Sequence, residues 1–385
     1  MPDNLVEKTI AKTFMEIANG LETGSFNRPA RIAVIGIGSE HGERNVLEGA
    51  VLAAKKGIEV TLIGTLNAEG VNTIKAESTE AAFEIMERLL DDGEADGAVA
   101  MHYLFPIGVS TVGRAVAPGT GKEMFMATTT GTSSLDRAAG MVKNTIFGII
   151  AAKACGIGSP SVGLLNIDGA RQTENALRQL KKNGYDICFA SSGREDGGCI
   201  MRGNDLLAGT SDVMVCDSLT GNILMKSLSA FTTGGSYESV GWGYGPGIGE
   251  EYNRLIMIAS RASGAPVIAG AIEYAAQLIR GKFRDIAKKE FAAANKAGLK
   301  NILESMEKPK AAVASEEVSQ PPKEVVTDQI TGIEIMSLDD ATKALWKEGI
   351  YAESGMGCTG PVVLVSHENL VKAEEILRQG NWIAE

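Results

Sequence analysis

The chain has 385 residues, 44% of them hydrophobic and 22% charged, with a formal net charge of −11. That length supports two or three domains with a large core, and the composition is ordinary for a globular protein. The acidic balance repels a phosphate backbone and excludes nucleic acid as the expected partner, although a local basic pocket for a small anion remains open. No apolar run reaches the ~18 residues of a membrane span. Met1-Pro2-Asp3-Asn4 does not open a signal peptide. A cytoplasmic protein with no membrane partner is expected.

The spacing of Leu5, Ile10, Phe14, Ile17 and Leu21 predicts an amphipathic helix over 3–22. Strand 31–36, helix 45–56 and strand 59–64 form a βαβ unit, the mark of a parallel sheet. The rhythm continues through helix 79–91, strand 97–101, helix 145–155, strand 161–167, helix 174–183, strand 186–190, strand 212–216 and a helix about 223–229. Strands this apolar are covered on both faces by helices. The expected fold is α/β: a three-layer α/β/α domain with a mainly parallel sheet. Residues 231–251, glycine-rich throughout, read as a loop, either a lid or an oligomer contact. Helical patterning returns over 272–303. The small, charged and proline-rich run 308–325 reads as a flexible linker between a domain of 1–307 and a small α/β module of 326–385. In that module a strand, helix 338–347, a loop, strand 362–365 and helix 370–378 are expected.

Five cysteines are present, Cys155, Cys188, Cys199, Cys216 and Cys358, without a CxxC pair, and three scattered histidines form no metal set. Cys155, Cys188 and Cys216 lie among apolar residues and read as core thiols. Cys358 differs. It sits in Ser354-Gly355-Met356-Gly357-Cys358-Thr359-Gly360-Pro361, read as a loop opening onto a strand. Gly357 and Gly360 leave its sulfur unshielded and allow close backbone approach. Two readings stand on residues alone: a nucleophile that carries an acyl group, or a small residue at a tight turn.

Gly36-Ile37-Gly38-Ser39-Glu40-His41-Gly42 lies between a strand and a helix, where α/β proteins bind ligands. His41 replaces the third glycine of a dinucleotide fingerprint, and the next strand ends in Gly64 rather than in an acid that would hold a ribose. A nicotinamide cofactor is not expected. Gly36, Gly38, His41 and Gly42 suit a phosphate, or simply a tight turn. Thr128-Thr129-Thr130-Gly131-Thr132-Ser133-Ser134 reads as a hydroxyl-rich loop. Its Thr130, Gly131, Thr132 and Ser133 either hold an anion or satisfy their own backbone. In the run Asp212–Lys226, Asp217 follows a buried strand, a Gly221-Asn222 turn opens the next helix, and Lys226 lies on that helix. Asp217 and Asn222 suit ligand orientation. Lys226 suits either charge compensation or solvent.

These last residues carry a resemblance. SVGLLNI at 161–167, followed by DVMVCDSLTGNILMK at 212–226, resembles the phosphate acyltransferases of phospholipid synthesis, as does the IAVxGxGSExG pattern from 32 onward. Those enzymes turn an acyl thioester on acyl carrier protein into an acyl phosphate. The whole chain, with its linker and Gly-Cys-Thr-Gly-Pro module, is similar to the family of component C alpha subunits of glycine, sarcosine and betaine reductase complexes. That resemblance implies an acetyl-phosphate-forming subunit. A two-carbon unit comes from carboxymethylated selenoprotein A, rests as an acetyl thioester on Cys358 within Gly357-Cys358-Thr359-Gly360, and leaves with inorganic phosphate. It implies no cofactor or metal, phosphate as co-substrate, and a hetero-oligomer with the larger (beta) subunit and selenoprotein A. Two other readings fit the same residues: a stand-alone acyltransferase acting on acyl carrier protein or coenzyme A, and a non-catalytic scaffold subunit.

Overall fold

A computed structural model describes residues 14–15, 17–18, 21, 28–194, 197–307, 318–333, 337–357 and 360–383. Most of the helix expected over 3–22 lies outside the described residues. Its described positions are helical, with Phe14 and Leu21 exposed. The first half of the main body runs β1 (Arg31–Ile35), α1 (Gly42–Ala54), β2 (Glu59–Gly64), β3 (Asn72–Lys75), α2 (Thr79–Asp91), β4 (Gly97–Ala100), β5 (Val109–Val116), β6 (Glu123–Thr132) and α3 (Arg137–Ala154). The second half runs β7 (Ser161–Leu165), α4 (Ala170–Lys182), β8 (Cys188–Phe189), β9 (Ile200–Met201), α5 (Gly203–Ala208), β10 (Val213–Val215), α6 (Ser218–Ala230), β11 (Gly245–Ile248), β12 (Ile256–Ile258), α7 (Ala265–Arg280), α8 (Phe283–Lys296) and α9 (Leu299–Glu307).

Alternation within single strands sets the layers. In β1, Ile32 and Val34 enter one core with α1 and α7, while Ala33 and Ile35 enter another with α2. In β10, Val213 and Val215 face the α3 side, and Met214 faces Met225 and Leu228 of α6. Successive side chains of a strand point to opposite faces, so an unbroken apolar run fills both cores. The outcome is the expected three-layer α/β/α fold.

The twelve-stranded sheet has the order β3-β2-β1-β4-β12-β11-β5-β6-β10-β7-β8, with β9 also on β7. β2, β3, β4 and β12 run parallel to β1, and β7, β8 and β9 run parallel to β10. Between these blocks β12–β11, β11–β5 and β5–β6 pair antiparallel. Three reversals turn the direction over, so the two parallel blocks point opposite ways. The loops after β1 and after β10 therefore open on opposite edges of the sheet.

Five expectations need correction, four of them in the main body. The segment 231–251 is not all loop: Gly245–Ile248 is a central strand, and its glycines permit it. Gly245 has φ +86°, and a Cβ there would lie 1.7 Å from the Val112 carbonyl oxygen. The hydroxyl run is likewise strand as far as Thr132, since Thr128 and Thr129 point into bonded, buried positions. Cys188 is exposed rather than core, because it sits on the outermost strand. The helical stretch 272–303 is three helices, broken at Gly281 and Gly298.

The last part of the chain forms a separate three-stranded antiparallel sheet in the order β13 (Asp328–Thr331), β15 (Gly360–Val365), β14 (Ala352–Gly357). α10 (Leu338–Lys347) and α11 (Leu370–Gln379) pack on it through Ala341, Leu345, Ala373 and Leu377. The glycine-rich run before Cys358 is thus strand rather than loop. Gly357 stands opposite Gly360 in the β14–β15 register, and Cys358 and Thr359 lie outside the described residues.

α6 is pressed onto β6 at one point. A Cβ on Gly221 would lie 1.7 Å from the Thr128 carbonyl oxygen. Overpacking a backbone contact of this kind costs about 3 kcal/mol or more. Gly221→Ala is expected to lower the unfolding free energy by that amount and the urea midpoint with it, whereas Gly158→Ala, which meets nothing within 4 Å, should leave both nearly unchanged.

Candidate functional site

Where β12 ends, Ser260 to Ser263 form a self-bonded turn. The Ser260 amide donates to Ser263 Oγ (3.0 Å) and the Ala262 amide to Ser260 Oγ (3.2 Å). The turn after β1 is laced to it. The Glu40 amide donates to the Arg261 carbonyl (2.9 Å), His41 Nε2 lies 3.2 Å from the Ala262 carbonyl, and Asn45 Nδ2 donates to the Ser263 carbonyl (2.9 Å). These contacts join two neighbouring loops on one edge of the sheet.

The upper end of α6 supplies the facing wall. A cleft of about 320 Å³ is lined by Lys226, Ala230, Phe231, Tyr237, Glu238 and Ala262, among others. Lys226 Nζ is 3.5 Å from Ser260 Oγ, 3.8 Å from Glu238 Oε1 and 5.6 Å from the Tyr244 ring centroid. Glu238 is only 2% exposed. Tyr244 Oη donates to its Oε1 (3.0 Å) and Ser263 Oγ to its Oε2 (3.3 Å). Burial, reinforced by the Glu238 charge, pushes the Tyr244 phenol well above its usual range, so the hydroxyl stays a donor. His41 stands at the rim, edge-on to Tyr237 with ring centroids 5.9 Å apart. An ammonium and a fixed carboxylate thus line one small opening, with the Ser260 hydroxyl 3.5 Å from the ammonium.

The turn Gly36–Gly42 is organised around a carboxylate of its own. Glu43, in the first turn of α1, accepts from the amide of Leu66 (2.9 Å) and from both the amide (2.5 Å) and the hydroxyl (2.6 Å) of Thr65. Burial pushes its carboxyl up, but these hydrogen bonds outweigh it and leave it below the usual carboxylate range. A Cβ on Gly64 would lie 2.2 Å from Glu43 Oε1, and one on Gly36 3.0 Å from its Cγ. That is why β2 ends in glycine. The amides of Gly36, Glu40, His41 and Gly42 donate to Ile63, Arg261, Ser39 Oγ and Ser39 respectively. The positive end of α1 already holds a negative charge, and Gly38 is an exposed turn residue with φ +100°. Of this group His41 is the one beside the cleft.

Thr130, Gly131, Thr132, Ser133, Asp217 and Asn222 gather on the opposite edge. Asp217 caps α6, accepting from the amides of Leu219 and Thr220 (3.0 Å each) and from the Thr220 hydroxyl (2.8 Å). Asn222 Nδ2 donates to the Thr129 carbonyl (3.1 Å). Thr129 Oγ1 donates to the Tyr244 carbonyl (2.7 Å), Thr128 Oγ1 to the Thr111 carbonyl, and Ser133 Oγ to the Gly140 carbonyl (3.2 Å). The Asn222 amide holds α6 to β6, the Ser133 hydroxyl ties the end of β6 to α3, and the Thr128 and Thr129 hydroxyls bind β6 to β5 and to Tyr244. The structure therefore divides the residues singled out in the sequence: Lys226 and His41 lie at the cleft, and Asp217, Asn222 and the threonine run lie across the sheet.

Glu238, Tyr244, Ser260 and Ser263 were not singled out. One signal was available, since Glu238 is the only acid between Phe231 and Gly249. Among the described residues no group of histidines, cysteines and acids is arranged to hold a metal ion, and no helix is long and apolar enough to cross a membrane.

Comparison with known proteins adds a lineage. The model of the fatty acid synthesis protein family matches residues 30–364. The chain is 55% identical over 382 residues to the glycine/sarcosine/betaine reductase complex component C subunit alpha of Peptoclostridium acidaminophilum, covering 98% of this chain and 99% of that one. It is 27% identical over 238 residues to the phosphate acyltransferase of Bacillus cereus strain B4264, covering 51% of this chain and 70% of the relative. Among solved structures, a branched-chain phosphotransacylase from Enterococcus faecalis V583 aligns at 17% identity with a TM-score of 0.46, covering 64% of this chain and 99% of that one.

The described cysteines differ in burial. Burial pushes the Cys155 and Cys199 thiols up to about 12 and the Cys216 thiol higher still, while Cys188 is exposed. Only the thiolate is nucleophilic. Iodoacetamide at pH 8 is expected to label Cys188 at least about a hundredfold faster than Cys155, Cys199 or Cys216, as peptide mapping over a time course will read.

Proposed function

The chain belongs to the fatty acid synthesis protein family, on its component C alpha-subunit branch, and we propose that it forms acetyl phosphate by phosphorolysis of an acetyl thioester carried on Cys358. The observation that supports this reading best is the cleft at the end of β12, where Lys226 Nζ stands 3.5 Å from Ser260 Oγ in a space suited to a small tetrahedral anion. In this reading a phosphate oxygen attacks the thioester carbonyl carbon. The C–O bond forms, the C–S bond breaks, and the electron pair leaves on the Cys358 sulfur as thiolate. The thioester divides one hard transfer into two easier ones.

Each residue has a stated task. Lys226 offsets phosphate charge, and Ser260 contributes a hydrogen bond. His41 borders the entrance. Holding phosphate beside the thioester replaces a bimolecular encounter with a positioned one. Residues 1–307 serve as the phosphate-holding domain, 308–325 as a tether and 326–385 as the carrier module that brings Cys358 to the cleft. Gly357 and Gly360 flank Cys358 in sequence without side-chain bulk. Inorganic phosphate is the co-substrate and no cofactor takes part. The acetyl unit comes from carboxymethylated selenoprotein A, and the working assembly includes the larger subunit of component C.

Exchange run backwards tests this. The assembled complex is incubated with labelled acetyl phosphate, then proteolysed in acid and mapped by mass spectrometry. Label is expected on the Cys358 peptide, removable by hydroxylamine and absent from Cys358→Ser. Label retained by Cys358→Ser would move the chemistry elsewhere. Lys226→Met is expected to raise the phosphate KM about tenfold or more, since it removes a charge-assisted contact.

A further inference from the structure

Glu238 is an unusual wall for an anion site. It is a buried carboxylate, and its surroundings hold it still: Tyr244 Oη donates to one oxygen (3.0 Å) and Ser263 Oγ to the other (3.3 Å). The ammonium of Lys226 stands 3.8 Å away, beyond direct hydrogen-bond distance. An ionised carboxylate has about four acceptor positions, and the described donors occupy two of them. The remaining capacity lies on a group that lines the cleft. A fully deprotonated tetrahedral anion beside such a group meets like charge and has no proton to offer it. An anion that keeps one proton meets an acceptor aimed at it.

We propose that Glu238 is the specificity-determining residue of the cleft, accepting a hydrogen bond from a protonated tetrahedral oxyanion and excluding one without a proton. Phosphate and arsenate keep at least one hydroxyl at neutral pH, whereas sulfate and monofluorophosphate keep none. Lys226 supplies the attraction common to all four, and Glu238 supplies the discrimination. This rests on the reading that phosphate occupies the cleft beside Lys226. It also gives a purpose to burying a carboxylate whose one ammonium partner among the described residues is loosely held, an arrangement that costs stability by itself.

The test uses the assembled complex and the exchange of isotopic label between inorganic phosphate and acetyl phosphate. In the unaltered protein, arsenate is expected to compete with phosphate at a comparable concentration. Sulfate and monofluorophosphate should need about tenfold more or above, because juxtaposed like charges are strongly disfavoured. Competition by all three at similar concentrations overturns the proposal without any variant. Glu238→Gln is expected to weaken phosphate and to lower the inhibition constant of sulfate about tenfold or more. Tyr244→Phe, which keeps the carboxylate, should still exclude sulfate. Sulfate exclusion that persists in a folded Glu238→Gln protein, together with a raised phosphate KM in Lys226→Met, defeats this inference alone. A phosphate KM unchanged in both variants removes phosphate from the cleft and defeats the underlying reading too.

Discussion

The pairing of β11 with β5 governs the rest of the molecule. Gly247 opposite Thr111 and Ile248 opposite Ser110 form the middle of the three antiparallel pairings that separate two parallel blocks. This pairing is possible because the chain there lacks side chains in the way. At Gly245 any Cβ would strike the Val112 carbonyl, and at Gly247 a Cβ would come within 2.3 Å of the Phe105 ring. Once the direction is reversed, strand ends that look equivalent in the sequence emerge on opposite edges. A site at the carboxyl ends of the strands, the ordinary rule for a parallel sheet, becomes two separate places.

α6 is the element that reaches from one place to the other. Its first turn is capped by Asp217 and tied to β6 through Asn222, and its later turns carry Lys226 to the cleft. The tight contact of Gly221 with Thr128 sets the depth at which the helix lies. Residues that resemble a ligand motif in sequence therefore act mainly as the mount for a single ammonium. This is a reasonable division of labour, because a charged side chain is useful only if its helix cannot drift.

Electrostatics decide between the two loops on the cleft edge. The start of α1 is occupied by Glu43, whose carboxylate takes up the amides of Thr65 and Leu66. A further anion there would face an existing charge. The opening beside Ser260 has the opposite character, with Lys226 more exposed than Glu238, which is held inside by Tyr244 and Ser263. Positive charge at the mouth and a fixed acceptor within are the two features on which the proposed anion site rests.

The sequence by itself determined the layers and the local punctuation. The apolar runs at 31–36, 59–64 and 212–216 read as strands covered on both sides, and the two helices of the C-terminal module were legible, although the glycine-rich run before Cys358 read as loop and is strand. These features are legible because periodicity and glycine chemistry act over a few residues. Strand direction was not legible, nor was the identity of β11, because its sequence has the composition of a loop and gains order only from neighbours far along the chain. The same reason hid Glu238 and Ser263, 25 positions apart yet 3.3 Å from contact to contact, and separated Asp217 from His41. Which polar groups meet depends on how the sheet reverses, and that reversal is a property of the packed chain rather than of any segment of it.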